Sequence, residues 1–453
     1  VLLALGLAAC STRRPPVSSA GARAPTAPAV DLQLATFEQA WKRIAETYPY
    51  ADFHGLDWPG VRDELLPRAE AARTPRELRP VLEEMLARLG ESHFAILPQA
   101  DEPATQHEAN ASDAPAPAAA PSGSRLGTAG IDVRQLGTSM IVTRVAAGSA
   151  ASQAGIRPGV LLLAAGDLHA VDAIDEGARE GAGPMARYSA WIAMTSALHG
   201  APGDPLHVSV KEEDDTVEEH DLVLGEAPGV VTRMGNLPAL PVEVESRTLE
   251  QGVGYVRFNW FFVPVVEPFA RAIEGFTSAG APGVVIDLRG NPGGIGAMVM
   301  GMAGHFIGEK DRSLGTMTTR DAELHFVAIP KAKAQRFDGP VAILVDELSL
   351  STSELFAGGM QGLHRARVFG RRTGGMALPS VIELLPNGDR LQFAIADLTG
   401  PDGTRIEGRG VIPDEEVPLR REDLFAGRDA DLDAAVAWLL SRRTANVSTG
   451  AAP

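Results

Sequence analysis

Between residues 32 and 98 the apolar positions recur at helical spacing: Phe37, Trp41, Ile44 and Tyr48 in one stretch, then Leu78, Val81, Leu82, Met85, Leu86 and Leu89 in another. Positions at i, i+3, i+4 and i+7 share one helix face, so this region predicts amphipathic helices. Thr74, Pro75 and Glu77 mark a helix start, with Pro in the first turn and the makings of a capping box. Gly90 ends the last helix, and Ser92-His93-Phe94 follow at once. From about Arg125 the pattern changes. Residues 140–145 and 206–210 predict strands, 150–154 a short helix and 185–198 a longer one. A Gly155-Ile156-Arg157-Pro158-Gly159 turn leads into apolar 160–164. Beyond residue 227, short continuous apolar runs (253–259, 284–288, 341–345) alternate with helical patterns at 266–279 and 354–363. Strands alternating with helices imply βαβ units and a largely parallel sheet.

Low-complexity stretches divide this pattern. Residues 11–31 and 99–123 are rich in Pro, Ala and Ser and nearly free of large apolar side chains, as expected of a tether and a linker. The length suggests about three domains, and the expected partition is a helical domain at 32–98, a mostly β domain at 124–226, an α/β domain at 227–445 and a tail at 446–453. The net charge of −17 leaves no basic stripe to neutralise phosphates, which argues against nucleic acid as a partner. The single cysteine, Cys10, allows neither an internal disulfide nor a Cys-based zinc site. It closes the apolar run of residues 1–9, expected to be the remnant of a signal peptide because neither an initiator Met nor a basic segment precedes it. No run of about 18 apolar residues occurs later, so no second membrane element is expected.

Two segments bear chemistry. The apolar strand 341–345 runs into Asp346-Glu347-Leu348-Ser349-Leu350-Ser351-Thr352-Ser353-Glu354. A serine at such a junction stands at the carboxyl edge of a sheet, where α/β proteins bind ligands. The amides of a helix start beside it can stabilise an oxyanion. Ser351-x-x-Glu354 is equally a capping box, and a serine there can simply cap. The second segment is Asp287-Leu288-Arg289-Gly290-Asn291-Pro292-Gly293-Gly294, whose glycines permit a tight turn and close backbone approach to a ligand. The oxyanion donors expected from this arrangement are the amide of Thr352 and that of Gly293 or Gly294. No cofactor and no metal is implied.

Taken in order, these segments resemble the tail-specific (C-terminal processing) serine peptidase family. So do Gly370-x-x-Thr373-Gly374-Gly375 and Arg405-Ile406-Glu407-Gly408-x-Gly410-Val411-x-Pro413-Asp414. The Gly155–Gly159 turn resembles that of the family's PDZ domain, and the stretch from Asp57 to Phe94 is similar to the helical cap of its tricorn-like branch. The resemblance implies a multidomain α/β and α+β chain: a helical cap, a PDZ-like β domain and a catalytic α/β domain of ClpP/crotonase-like fold. It implies Ser351 as nucleophile. Many members use a lysine just after the glycine pair of the Gly-x-x-Thr-x-Gly segment, and here that position is Met376, which cannot accept a proton. The tricorn-like branch uses Ser, His and Glu instead, which carries over as Ser351, His93 and Glu407. An imidazole with an ordinary pKa of about 6.5 suits the role of base, predicting that activity falls below that pH.

Further expectations follow from the resemblance. Leu7-Ala8-Ala9-Cys10 resembles a lipobox, so Cys10 is the expected lipidation site. It would anchor the chain in the bacterial cell envelope facing the periplasm, with Ser11 favouring the outer membrane. The PDZ-like unit is expected to take a chain end by strand addition, its carboxylate loop formed by Leu126, Gly127, Gly130 and Ile131. The substrates implied are polypeptides: exported proteins, cut near C-termini or in unfolded segments. Lys331 and Lys333 are the fallback bases. Two other readings remain open from the sequence, a non-catalytic peptide- or ligand-binding protein on the same scaffold and a hydrolase of small peptides or esters.

Overall fold

The computed structural model describes residues 29–98, 126–180, 183–233 and 240–449. Cys10, nearly all of the expected tether and the expected linker lie outside them. Two compact units result. Among the described residues no helix is long and apolar enough to cross a membrane.

The smaller unit contains the helices Ala29–Thr47, Trp58–Ala71 and Pro75–Ala87. Their apolar faces meet as the periodicity requires: Phe37, Ile44, Tyr48, Trp58, Leu82 and Met85 are all buried. Thr74 caps the third helix by accepting the Glu77 N–H at 3.3 Å. The other half of the box closes one residue early, because the Glu77 carboxylate takes the Arg73 N–H at 2.7 Å. The expected boundary at residue 98 needs correcting. The antiparallel hairpin Ser380–Leu384/Arg390–Ala394 belongs to this unit, and its second strand pairs with Ala95–Leu97. Leu385, Leu391 and Phe393 complete the helical core, and Arg79 donates twice to the buried Asp389 at 2.7 and 3.0 Å. Three helices alone leave an apolar face that the hairpin covers.

The larger unit is built on a six-stranded sheet. Its strands, in spatial order, are Val244–Thr248, Gly254–Phe258, Val284–Asp287, Val341–Val345, Arg367–Gly370 and Glu415–Glu416, all parallel except the first. Every residue of Val284–Asp287 and Val341–Val345 is buried, which is why these strands read as unbroken apolar runs. On one face Ala435, Val436 and Leu439 of the last helix pack on Val285, Ala342, Leu344 and Phe369. That helix runs to Thr449, so the tail expected from 446 begins as helix.

A second sheet in the same unit is antiparallel, in the order Ile131–Leu136, Ser139–Val145, Leu161–Ala165, Pro205–Lys211, Val217–Val223. It has its own core with Val133, Met140, Val160, Val208 and Met194. The helix Ala170–Glu180 and the strand Val217–Val223 were not expected. The strand reads VEEHDLV with only Leu222 buried, and so lacks the apolar alternation of a half-buried strand. Gly159 has φ +100°, and a Cβ there would strike the Phe425 ring at 2.9 Å. Arg421 Nε donates to its carbonyl at 2.9 Å. The two sheets are joined by a buried ion pair, Arg134 Nε to Asp346 Oδ2 at 2.6 Å. Both sheets belong to one compact unit, so the expected division at 226/227 is not a gap in packing.

Candidate functional site

The Val341–Val345 strand ends in a turn fixed by Asp346. Its carboxylate accepts the amides of Gly290 (2.9 Å) and Leu348 (3.1 Å) besides the Arg134 bond. Burial alone would raise the Asp346 pKa, but the nearby Arg134 and Arg371 hold it below the ordinary carboxylate range. Asp346 therefore ties the turn after one strand to the turn after its neighbour. Ser351 follows, immediately before the helix Thr352–Gly362. Its backbone is at φ 54°, ψ −115°, a region that costs a non-glycine residue about 1–3 kcal/mol and persists only where surroundings enforce it. Ser351 is buried, and its hydroxyl has no hydrogen-bond partner among the described residues of this unit. The hydroxyl therefore does not cap the helix.

What enforces this conformation is Glu354, fully buried at 0 % exposure. Its Oε2 accepts the amides of Ser351 (3.0 Å) and Met376 (3.1 Å). Its Oε1 accepts the Thr373 hydroxyl (2.6 Å) and the Gly375 amide (2.7 Å). The Ser351 N–H is shared with the Met376 carbonyl at 2.9 Å. Burial, supported by the charge of Glu407, pushes the Glu354 carboxyl up to about 7, against donors that would lower it. From sequence Ser351-x-x-Glu354 was legible only as a capping box. The Thr373–Met376 partners come from 19 to 22 residues away, and nothing local signals them.

Gly293 and Gly294 lie beside the Ser351 turn: the first approaches Ser351 itself, the second Phe261. A Cβ on Gly293, at φ +100°, would sit 2.9 Å from both Ser351 Cβ and the Thr352 nitrogen, so only glycine leaves that space open. The Gly293 amide is not available as a donor, because Asn291 Oδ1 accepts it at 2.9 Å. The amides of Thr352 and Gly294 make no hydrogen bond among the described residues of the unit, and the Thr352 hydroxyl donates to the Gly294 carbonyl at 2.9 Å. Of the two glycines named from sequence, Gly294 offers the amide and Gly293 the room. Asn291, 0 % exposed, went unnoticed in the sequence; its side chain also donates to the Phe258 carbonyl at 2.9 Å.

Glu407 is buried, and its Oε2 accepts the Ala377 amide at 2.7 Å, one residue beyond Met376. The Thr373–Ala377 and Ile406–Val411 segments are held together by Gly408 N–H to Gly375 O at 2.8 Å and Val411 N–H to Thr373 Oγ1 at 2.6 Å. Lys331 and Lys333 belong to a loop near His305 and Asp338, whose pKa values they help to lower; neither bonds the Ser351 hydroxyl.

His93 belongs to the smaller unit, in a turn with φ +66° at Gly90 and +64° at His93 itself. Its Nδ1 lies 2.7 Å from Ser92 Oγ. Burial pushes the imidazole pKa down to about 3, so the ring is neutral across ordinary pH. An acid limb belonging to His93 is therefore expected well below 6.5.

In the Leu126–Ile131 segment two amides are engaged within the protein. The Gly130 N–H goes to Thr128 Oγ1 (3.1 Å) and the Ala129 N–H to the Leu198 carbonyl (3.0 Å). Gly127 is packed between two strands, against Ala201. Leu126, Gly130 and Ile131 line a cavity of about 880 Å³. Among the described residues no group of His, Cys, Asp or Glu could hold a metal ion.

Residues 252–417, which span this turn system, match peptidase family S41, and residues 34–87 match the tricorn protease C1 domain. The S41 match covers the strands and turns around Ser351. A "Probable CtpA-like serine protease" of Staphylococcus epidermidis is 27% identical over 51% of this chain and 52% of its own length. A "Carboxyl-terminal-processing protease" of Picosynechococcus sp. is 25% identical over 84% of this chain and 82% of its own. The chain spans about half the length of the first curated relatives it matches. Among solved structures, the photosystem II D1 C-terminal processing protease shares the fold, with a TM-score of 0.56 and 19% identity over 88% of this chain and 95% of that one. The fold is thus the mixed α/β multidomain arrangement of such proteases. Ser351, Glu354, Asn291, Gly293, Gly294, Met376 and Glu407 all fall within the residues that match family S41.

Proposed function

We propose that this chain is a serine endopeptidase of exported proteins, cutting near C-termini or in unfolded segments, with Ser351 as nucleophile. The observation that carries this reading is the Ser351 junction: a strained backbone, a buried hydroxyl without a partner, and the two unengaged amides of Thr352 and Gly294 beside it. The S41 match and the protease names of the relatives support the same reaction class. In this reading Ser351 Oγ attacks the scissile carbonyl. With Nδ1 of His93 directed at Ser92, its Nε2 takes the serine proton and returns it to the leaving amine. The developing oxyanion is stabilised by the Thr352 and Gly294 amides. Glu407 orients the base, directly or through a neighbouring side chain. The antiparallel sheet of 131–223 serves as a PDZ-like module that presents polypeptide, and Cys10 anchors the chain in the cell envelope.

A fluorophosphonate probe tests the reading. The full chain is expected to label at one site, and Ser351→Ala to remain unlabelled while folded. An unlabelled wild type would turn the assignment towards a non-catalytic binding protein on the same scaffold.

Met376→Lys gives a second test. The Met376 main chain already grips Ser351 from both directions, through its carbonyl and through Glu354. A lysine there would have to lose its proton in a buried place to act as base, while His93 is neutral already. The variant is expected to show no gain in peptidase rate. A large gain would identify the site as a serine–lysine dyad that lacks its base.

A further inference from the structure

The cavity of about 880 Å³ in the larger unit is bounded at one place by the turn after Asp287, which lies beside Ser351. Gly290 and Pro292 line it, as do Asn259 and Trp260. The next residue, Phe261, donates its N–H to the Gly293 carbonyl at 2.8 Å and accepts that of Ile295 at 2.8 Å. Trp260 and Pro292 therefore flank the backbone bridge that holds Gly293 and Gly294 against Ser351. Glu243 lines this same cavity, and Asn259 Oδ1 accepts its main-chain N–H at 2.9 Å.

The Glu243 carboxylate stands apart from its charged neighbours. Asp132 is bonded by Arg257 (2.9 Å) and Arg144 (3.3 Å), and Arg144 also reaches Glu245 at 3.6 Å. Arg134 is engaged by Asp346. Glu243 is half-buried and makes no side-chain hydrogen bond or ion pair among the described residues. Burial, despite the more distant Arg144, raises its pKa. A half-buried carboxylate without a partner is costly to leave unpaired, and the natural complement is a cation brought by a ligand. Trp260 adds a half-buried aromatic ring to the same wall, a surface that favours the stem and charge of lysine or arginine.

We propose that Glu243 is a specificity-determining residue: the cavity end between Glu243, Trp260 and Pro292 takes a lysine or arginine side chain of the substrate polypeptide close to the scissile bond. The proposal rests on Ser351 being the place of cleavage, but its test is a binding measurement that does not need turnover. Fluorescent peptides that differ only by Lys, Ala or Glu scanned through successive positions are titrated into the full-length Ser351→Ala chain. At one or two neighbouring positions Lys is expected to bind about tenfold more tightly than Glu, as for other close charge pairs at interfaces. Adding Glu243→Gln should abolish that preference, and Glu243→Lys should invert it. Equal affinity for Lys and Glu peptides at every position, or a preference that survives Glu243→Gln, would overturn the proposal. Fluorophosphonate labelling of the wild-type chain reports on Ser351 independently of any charge preference in binding. Normal labelling without charge preference thus removes the specificity claim alone, and absent labelling of wild type removes the nucleophile claim.

Discussion

His93→Ala is expected to lower kcat/KM by a factor on the order of 10⁴ or more, about as much as Ser351→Ala, and the double variant should be hardly worse than either single one. Groups that act as one catalytic unit lose their whole effect when any member goes. A general base contributes only while it is neutral, and burial holds the His93 pKa down to about 3. Protonation of His93 would therefore remove activity only as pH falls towards 3, well below the ordinary imidazole range. Glu407→Gln should cost less, since the carboxylate orients rather than transfers a proton. Steady-state kinetics on a quenched polypeptide substrate, with circular dichroism to establish folding, would check the series. Additive losses for His93→Ala and Ser351→Ala would show that the two do not act together.

Glu354→Gln is expected to cost about 10²-fold in the rate of fluorophosphonate labelling, the scale of effect produced by displacing a reacting group by roughly 1 Å. Glu354 accepts four donated hydrogen bonds, two on each oxygen. An amide in its place turns one oxygen into a donor. Whichever way it faces, either the Ser351 and Met376 amides or the Thr373 hydroxyl and Gly375 amide lose Glu354 as acceptor, and in the first pair Ser351 keeps the Met376 carbonyl while the Met376 amide is left unsatisfied. Each buried donor left unsatisfied costs about 1–3 kcal/mol, so a lower melting temperature should accompany the loss. The pH profile separates positioning from mere stability. The carboxylate can accept all four bonds only when ionised, and its pKa is pushed up to about 7. Labelling by wild type should fall as pH drops through about 7, when Glu354 takes up its proton. Because the Glu407 charge helps to raise that pKa, Glu407→Gln should move the limb to lower pH. Glu354→Gln should lack the limb altogether. A limb unchanged in both variants would assign it to another group.

The sequence by itself determined whatever is encoded within short windows. Helical spacing placed the helices Ala29–Thr47 and Pro75–Ala87 but not Trp58–Ala71 between them, and unbroken apolar runs placed the parallel strands at 284–287 and 341–345, because burial on one face or on both leaves a periodic or continuous trace. The strand–serine–helix order located Ser351, and the glycines after Asp287 located the turn beside it. Tertiary structure decided what depends on distant partners. The hairpin 380–394 completes the N-terminal core through pairing with Ala95–Leu97, a contact across nearly 300 residues that no local pattern announces. Glu354 reads as a helix cap, and only its meeting with Thr373, Gly375 and Met376 makes it the clamp on the Ser351 backbone. Gly293 and Gly294 are equivalent as letters. Asn291 distinguishes them by accepting one amide and leaving the other, a difference set by where a buried side chain finds its hydrogen bonds. Glu243 carries no motif at all. Its partnerless state follows from which arginines the neighbouring acids have already engaged, and that is fixed only when the two sheets of the larger unit pack together.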